Sequence, residues 1–224
     1  MKVVFCTLFL ERPHPAFIRA LEASLPLIEA AGWEHSYVQE VGCPYISEAR
    51  SKILRKALDR KPDVIVFLDY DVSWAPESLL KLISTDGDVV AGTYRFKDDE
   101  ERYMGELDVD NMHVMRTDGC LMARKVPAGF LKLTREALSK FAKAYPELLY
   151  GDPLSPHLDL FNHGAIDGLW YGEDYAFSKR WIEKCGMLWV VPDIDVHHNS
   201  ATVCYEGNLH KHLINYKEER VNES

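Results

Sequence analysis

Asp63-Val64-Ile65-Val66-Phe67-Leu68-Asp69-Tyr70-Asp71-Val72-Ser73-Trp74-Ala75-Pro76 is the stretch whose reading decides the rest. Val64 to Leu68 is an unbroken apolar, largely β-branched run of strand length, as expected of a central strand covered on both faces. It stops at two carboxylates, Asp69 and Asp71, with Tyr70 between them. The carboxyl ends of parallel strands are where open α/β sheets place ligands. Pro76 and Glu77 then suit the first turn of a helix, and Leu79, Leu80, Leu82 and Ile83 give that helix an apolar face. Two carboxylates at one strand tip repel each other unless a cation lies between them. Hard oxygen ligands fit Mg²⁺ or Mn²⁺, which bind through one or two carboxylates plus substrate phosphates. The plainer alternative is a pair of aspartates that caps the helix or sits solvated in a turn.

Working outward, Val3 to Leu10 reads as a first strand, Pro15 to Ala31 as an amphipathic helix ending at Gly32, and Trp33 to Val41 as a second strand. Ser47 opens a helix to Arg60 that carries Arg50 in its first turns, where a cation runs against the helix dipole and either faces a phosphate or is a solvated surface arginine. After the central unit comes Asp88 to Gly92, a short strand whose glycine allows close backbone approach. This alternation implies parallel pairing with right-handed crossovers. Beyond it, Lys97 to Arg102 is a charge run expected to be a solvated loop. Thr117-Asp118-Gly119 reads as a hairpin turn between His113-Val114-Met115 and Cys120 to Ala123. Gly129 to Leu133 is another strand, Thr134 caps a helix from Arg135 to Tyr145, and the prolines of Pro146 to Leu160 indicate a long surface loop. A helix from Tyr175 to Lys184 closes at Gly186, Met187 to Val191 is a last strand, and the polar tail from Lys211 is expected to fray.

The 224 residues are read as one domain, in two halves, 1–95 and 96–210, with a polar tail at 211–224. A net charge of −9 argues against a nucleic-acid partner. Five widely spaced cysteines without a C-x-x-C pair indicate neither a disulfide framework nor a zinc site, and fit the cytoplasm of a bacterium or a virus-infected host cell. The apolar run after Lys2 is short and ends at charged residues, so a strand is expected there rather than a leader. No later run approaches the ~20 residues of a transmembrane segment.

Two further places carry chemistry. Trp170-Tyr171-Gly172 precedes Glu173-Asp174 at a helix start, where aromatics form a platform for an uncharged ring and a carboxylate can accept a hydroxyl proton. His197-His198 follows the last strand and its acids, and either ring is a candidate metal ligand.

The Asp-Tyr-Asp after a buried strand, the Val126-Pro127-Ala128-Gly129-Phe130-Leu131 segment, the Gly172-Glu173-Asp174 helix start and the late His, in that order, resemble the GT-A glycosyltransferases, especially small inverting enzymes of viral and bacterial type. The resemblance implies a Rossmann-like mixed, mainly parallel sheet flanked by helices, with 1–95 as a nucleotide-binding half and 96–210 as an acceptor-side half that holds a small antiparallel part. It also implies metal-dependent transfer of a sugar from a UDP- or GDP-linked donor to a hydroxyl of a glycan or other acceptor. Asp69 and Asp71 would then hold Mn²⁺ or Mg²⁺ on the donor diphosphate, His198 would complete the metal shell, and Arg50 would reach the diphosphate. Asp174 would be the general base and Glu173 would steer the acceptor. Thr7, on a strand ending at the same rim, is expected to face the nucleotide base. Two rival readings are an Asp-x-Asp phosphohydrolase and a non-catalytic sugar- or nucleotide-binding module of the same fold.

Overall fold

A computed structural model describes residues 1–108 and 115–222. In chain order the first half holds β1 (Lys2–Phe9), α1 (Pro15–Ala30), β2 (Glu34–Val41), α2 (Ile46–Leu58), β3 (Val64–Leu68), β4 (Val72–Trp74), α3 (Pro76–Ser84) and β5 (Val89–Ala91). There follow β6 (Glu106–Leu107), β7 (Leu121–Lys125), β8 (Phe130–Thr134), α4 (Arg135–Ala144), β9 (Leu149–Tyr150) and β10 (His157–Leu158). The chain continues through β11 (Gly164–Ile166), β12 (Leu169–Tyr171), α5 (Glu173–Lys184), β13 (Leu188–Val190), β14 (Val196–Asn199), β15 (Cys204–Tyr205) and α6 (Leu209–Asn222).

Eight strands form one sheet in the order β2-β1-β3-β8-β5-β13-β7-β6. β1 pairs in parallel with β2 and β3, and β5 with β13. Every side chain of β3 is buried, as its sequence requires. Ile65 and Phe67 pack under α2, α4 and α5 with Ile53, Leu54, Phe141 and Phe177, whereas Val64, Val66 and Leu68 face Phe17, Leu79 and Leu82 of α1 and α3. Alternate residues of one strand thus serve two cores.

Two expectations are corrected and one element is added. The strands up to Ala91 do not pair only in parallel: β8 runs antiparallel between β3 and β5. Its buried Phe130, Leu131 and Leu133 suit a central position, and an apolar run does not encode direction. Val72-Ser73-Trp74, given no element in the sequence reading, forms the strand β4, paired antiparallel with β14 in a three-stranded sheet that also holds β15. Pro146 to Leu160 is not a plain loop, since β9 and β10 form a hairpin there and Leu158 and Leu160 are buried.

The turn at Thr117-Asp118-Gly119 is present, with Gly119 N–H donating to the Arg116 carbonyl, but His113 and Val114 of the expected hairpin lie outside the described residues. The tail is helical as α6 and is anchored by buried Leu209. No described helix is long and apolar enough to cross a membrane.

Candidate active site

Asp69 stands at the tip of β3, where its N–H donates to the Gly129 carbonyl at 2.9 Å. β8 begins where β3 ends, which brings the Gly129 backbone against the Asp69 carboxylate. A Cβ at Gly129 would collide with that carboxylate and with the Tyr94 hydroxyl. The glycine of Val126 to Leu131 is therefore required by close approach rather than by an unusual backbone angle.

Arg50, one turn into α2, is 2% exposed and is enclosed by the rings of Phe67 and Phe161, whose centroids lie 5.8 and 5.2 Å from its guanidinium carbon. Its Nη2 donates to Asp69 Oδ1 at 3.1 Å and lies 3.6 Å from Glu173 Oε1. One guanidinium thus joins the Asp-Tyr-Asp segment to the acidic start of α5, more than a hundred residues later. Burial opposes the charge on Arg50, but Asp69, Glu173 and Asp174 favour it and the balance is upward. Close packing also pushes the Asp69 carboxyl up, against the pull of Arg50 and with the help of Asp71.

Asp71 has different partners. The Lys97 ammonium contacts its Oδ2, and His198 Nε2 lies 3.6 Å from the same oxygen. Asn199, the residue after His198, donates its backbone and side-chain N–H groups to the Asp71 carbonyl at 2.8 and 2.9 Å. Burial alone would raise the Asp71 carboxyl, but His198 and Lys97 outweigh it and hold the group below the usual carboxylate range.

The β4–β14 pairing separates the two histidines. His198 pairs with Val72 and faces Asp71, whereas His197 Nδ1 accepts from Gly207 N–H at 3.2 Å on the other side. The Tyr94 ring packs edge-on against His198, with centroids 5.0 Å apart. His198 Nδ1 lies 2.9 Å from the Arg95 carbonyl. A carbonyl only accepts, so in the neutral ring Nδ1 carries the proton and Nε2 presents its lone pair to the side of Asp71.

Among the described residues no group of three or more His, Cys, Asp or Glu side chains forms a metal cage. The set Asp69, Asp71 and His198 is split, because Asp69 is engaged by Arg50 while Asp71 and His198 face each other. A carboxylate and an imidazole oriented by a carbonyl supply two ligands of a shell. Such a pair fits a divalent cation whose other positions are filled by substrate phosphates and water.

At the other end, Gly172 is the N-cap of α5, and Asp174 Oδ1 accepts from Tyr175 N–H at 2.8 Å. Burial and the neighbouring Glu173 carboxylate push the Asp174 carboxyl up to about 6. Just before it, Asp167 and Gly168 both have positive φ and form the two-residue turn between β11 and β12. That hairpin presents Trp170, 74% exposed, beside the His163 ring. Lys179 lies over the Tyr171 ring.

Two candidates stand apart from these groups. Thr7 lies in β1 one residue past the Cys6–Phe67 pair with β3, and it is fully buried. Tyr70 projects outward and half-exposed, while its carbonyl accepts from His14 N–H. Sequence reasoning missed Lys97, Tyr94 and Asn199. Asn199 adjoins a residue already singled out, and Lys97 opens the run that charge alone marks as solvent-facing.

No family model and no curated protein matches the sequence. Among solved structures, the chain is similar to that of GalNAc-T7 crystallised with UDP, GalNAc and Mn²⁺, at 15% identity and a TM-score of 0.52. The match covers 88% of this chain and 43% of that one, so the chain spans less than half the length of the GalNAc-T7 chain. It also matches a glycosyltransferase involved in the glycosylation of the major capsid of PBCV-1, at 12% identity and a TM-score of 0.37, over 64% of this chain and 65% of that one. With its mainly parallel sheet, flanking helices and small antiparallel sheets, the chain has a GT-A-like fold.

Proposed function

We propose that the protein transfers a sugar from a nucleoside-diphosphate donor to an acceptor hydroxyl, with inversion and with the help of a divalent cation. The observation that carries this reading is the link Asp69–Arg50–Glu173, which joins a strand-tip carboxylate pair to a second acidic pair across one buried guanidinium. The GT-A-like fold supports it, as do the UDP, GalNAc and Mn²⁺ held in the GalNAc-T7 structure.

Asp71 and His198 would hold Mn²⁺ or Mg²⁺, which supplies positive charge to the departing diphosphate. Arg50 keeps Asp69 and Glu173 fixed so that neither carboxylate swings into the reaction centre. Trp170 and Tyr171 give an acceptor ring an apolar face to lie on. Asp174 takes the acceptor proton, and a carboxyl titrating near 6 is ionised at neutral pH yet basic enough to accept it.

The test is thermal stability against a panel of nucleotide sugars, each with Mn²⁺, Mg²⁺ or EDTA. A donor at 100 times its Kd adds roughly 2.7 kcal/mol. A shift with one donor that disappears in EDTA is the expected result, followed by an inverted product with that donor. Absence of a shift with every donor, or a donor-independent phosphatase activity, would overturn the reading.

A further inference from the structure

A second concavity of about 480 Å³ opens beside this site, lined by Tyr45, Ser47, Glu48, Tyr150, Asp159 and His163. It is built by two parts of the chain that sequence reading kept separate. Tyr45 is the N-cap residue of α2, and Ser47 and Glu48 form the first turn of that helix. Arg50, whose guanidinium joins Asp69 to Glu173, follows Ser47 by about one turn of the same helix, so their backbones are ~5 Å apart along its axis. The opposite wall comes from the β9–β10 hairpin and the segment after it. The two walls are tied by Ser47 Oγ and His163 Nδ1 at 2.5 Å and by the Tyr150 hydroxyl, which donates to Ser51 Oγ at 3.0 Å. His163 also touches the exposed Trp170, which makes the cleft continuous with the aromatic platform before Asp174.

The lining has a definite chemistry. Tyr45 and Tyr150 are 69% and 46% exposed, and Tyr150 is stiffened by stacking on His157. Asp159 is oriented from behind: Arg180 donates to Asn162 Oδ1 at 2.9 Å, and Asn162 Nδ2 donates to Asp159 Oδ2 at 2.6 Å. Its other oxygen, Oδ1, is buried from solvent and has no hydrogen-bond partner among the described residues. With one oxygen held by Asn162, the Asp159 carboxylate stands in the cleft wall in a fixed orientation, as an acceptor for ligand hydroxyls. Two carboxylates and no lysine or arginine line the cleft; Glu48 is paired with Lys52 at 2.7 Å, which leaves Asp159 as the charge that disfavours phosphates and acidic sugars. Rings for stacking and oriented acceptors for hydroxyls, without cations, select an uncharged polyhydroxylated ring.

We propose that this cleft is a flanking acceptor subsite that binds an uncharged sugar residue of a glycan, next to the residue whose hydroxyl faces Asp174. The proposal rests on the transferase reading and names the acceptor class that reading leaves open. It makes Tyr45 and Tyr150 the stacking walls and Asp159 the hydroxyl acceptor.

The test uses the full chain and titration calorimetry with three probes: neutral hexose di- and trisaccharides, their uronic-acid analogues, and uridine. Neutral oligosaccharides should bind at least tenfold more tightly than the acidic analogues. Tyr45→Ala, at an exposed position, and the near-isosteric Asp159→Asn should each weaken that binding about tenfold. Circular dichroism confirms that both variants fold. Equal affinity for neutral and acidic sugars, or oligosaccharide binding unchanged in both variants, overturns the subsite. So does displacement of the oligosaccharide by uridine, which would make the cleft a nucleoside site. Donor binding, read separately by thermal shift, keeps the two ideas distinct. A protein that binds a nucleotide sugar but fails these tests keeps the transferase reading and loses the subsite. One that binds neutral oligosaccharides but no donor keeps the cleft as a sugar site and loses the transferase.

Discussion

The two ends of the candidate site treat a carboxylate in opposite ways. Asp71 is held below the usual range because Lys97 and His198 outweigh the cost of its burial, whereas Asp174 is pushed up to about 6 by burial and by Glu173. The first environment keeps a permanent negative charge and is suited to gathering cations. The second makes a group that changes charge close to neutrality and is suited to moving a proton. Groups whose surroundings drive their pKa values apart are how acid–base and electrostatic roles are divided within one site. Arg50 stands between the two ends and touches a carboxylate of each segment, Asp69 and Glu173, but the low value at Asp71 comes from Lys97 and His198, and at Asp174 Arg50 works against the rise.

The largest expected effect comes from removing the proton acceptor. Asp174→Asn should lower transfer by 10²–10⁴-fold, the span of a general base, while leaving donor affinity within a few-fold. The same change should stabilise the fold at neutral pH. A carboxyl whose pKa is raised on folding binds its proton more tightly in the native state. Its stabilising contribution is complete below the unfolded value near 3.8 and is lost as pH rises through about 6. At pH 8 the native protein therefore carries a cost of at most about 3 kcal/mol, which the asparagine relieves. Melting curves at pH 4 and pH 8 should coincide with wild type at the lower pH and separate at the higher. A variant that melts below wild type at pH 8 would break the comparison.

Arg50→Met should come next, with a loss of about 3–5 kcal/mol on denaturant unfolding, because it leaves the Asp69 and Glu173 carboxylates without their shared cation. Wild-type transfer itself should fall about tenfold per unit below pH 6, a slope of one that reports Asp174. A flat profile between pH 5 and 7 would show that another group takes the proton.

Much of this site was legible because its signals are local. Five apolar residues ending in Asp-Tyr-Asp announce a buried strand with charge at its tip, and Gly172-Glu173-Asp174 announces a helix start. What was not legible depends on pairing. A run such as Phe130 to Leu133 looks the same in either direction, so nothing in it said that β8 would run antiparallel and bring Gly129 against Asp69. Val72-Ser73-Trp74 is too short to show a period. Without β4, neither face of the His197-His198 pair could be assigned to Asp71. Thr7 was expected to face outward near the end of its strand, yet in the fold its side chain is fully buried, which an apolar run with no clear period does not reveal. The prolines of Pro146 to Leu160 concealed a hairpin, and with it one wall of the cleft next to α2.

Lys97 was hidden by the opposite kind of signal, a run of six charged residues whose ordinary reading is solvation. In the fold its ammonium instead lies on Asp71, on a segment whose Tyr94 and Arg95 also frame His198. An ammonium at that oxygen competes with any cation shared by Asp71 and His198. Lys97→Met keeps most of the side-chain volume and removes only the competing charge. A partly exposed ion pair is worth about 1 kcal/mol, so the variant should bind Mn²⁺ roughly three- to tenfold more tightly in the absence of donor. Electron paramagnetic resonance of free Mn²⁺ reads that affinity without any turnover. His198→Gln should weaken the same binding, and His197→Gln should leave it alone because that ring faces Gly207. Tighter binding in the lysine variant together with opposite responses of the two histidines would fix the cation-gathering end of the site at Asp71. Equal responses of the two histidines would mean that the cation is held elsewhere, and that the depressed carboxyl of Asp71 serves only its lysine.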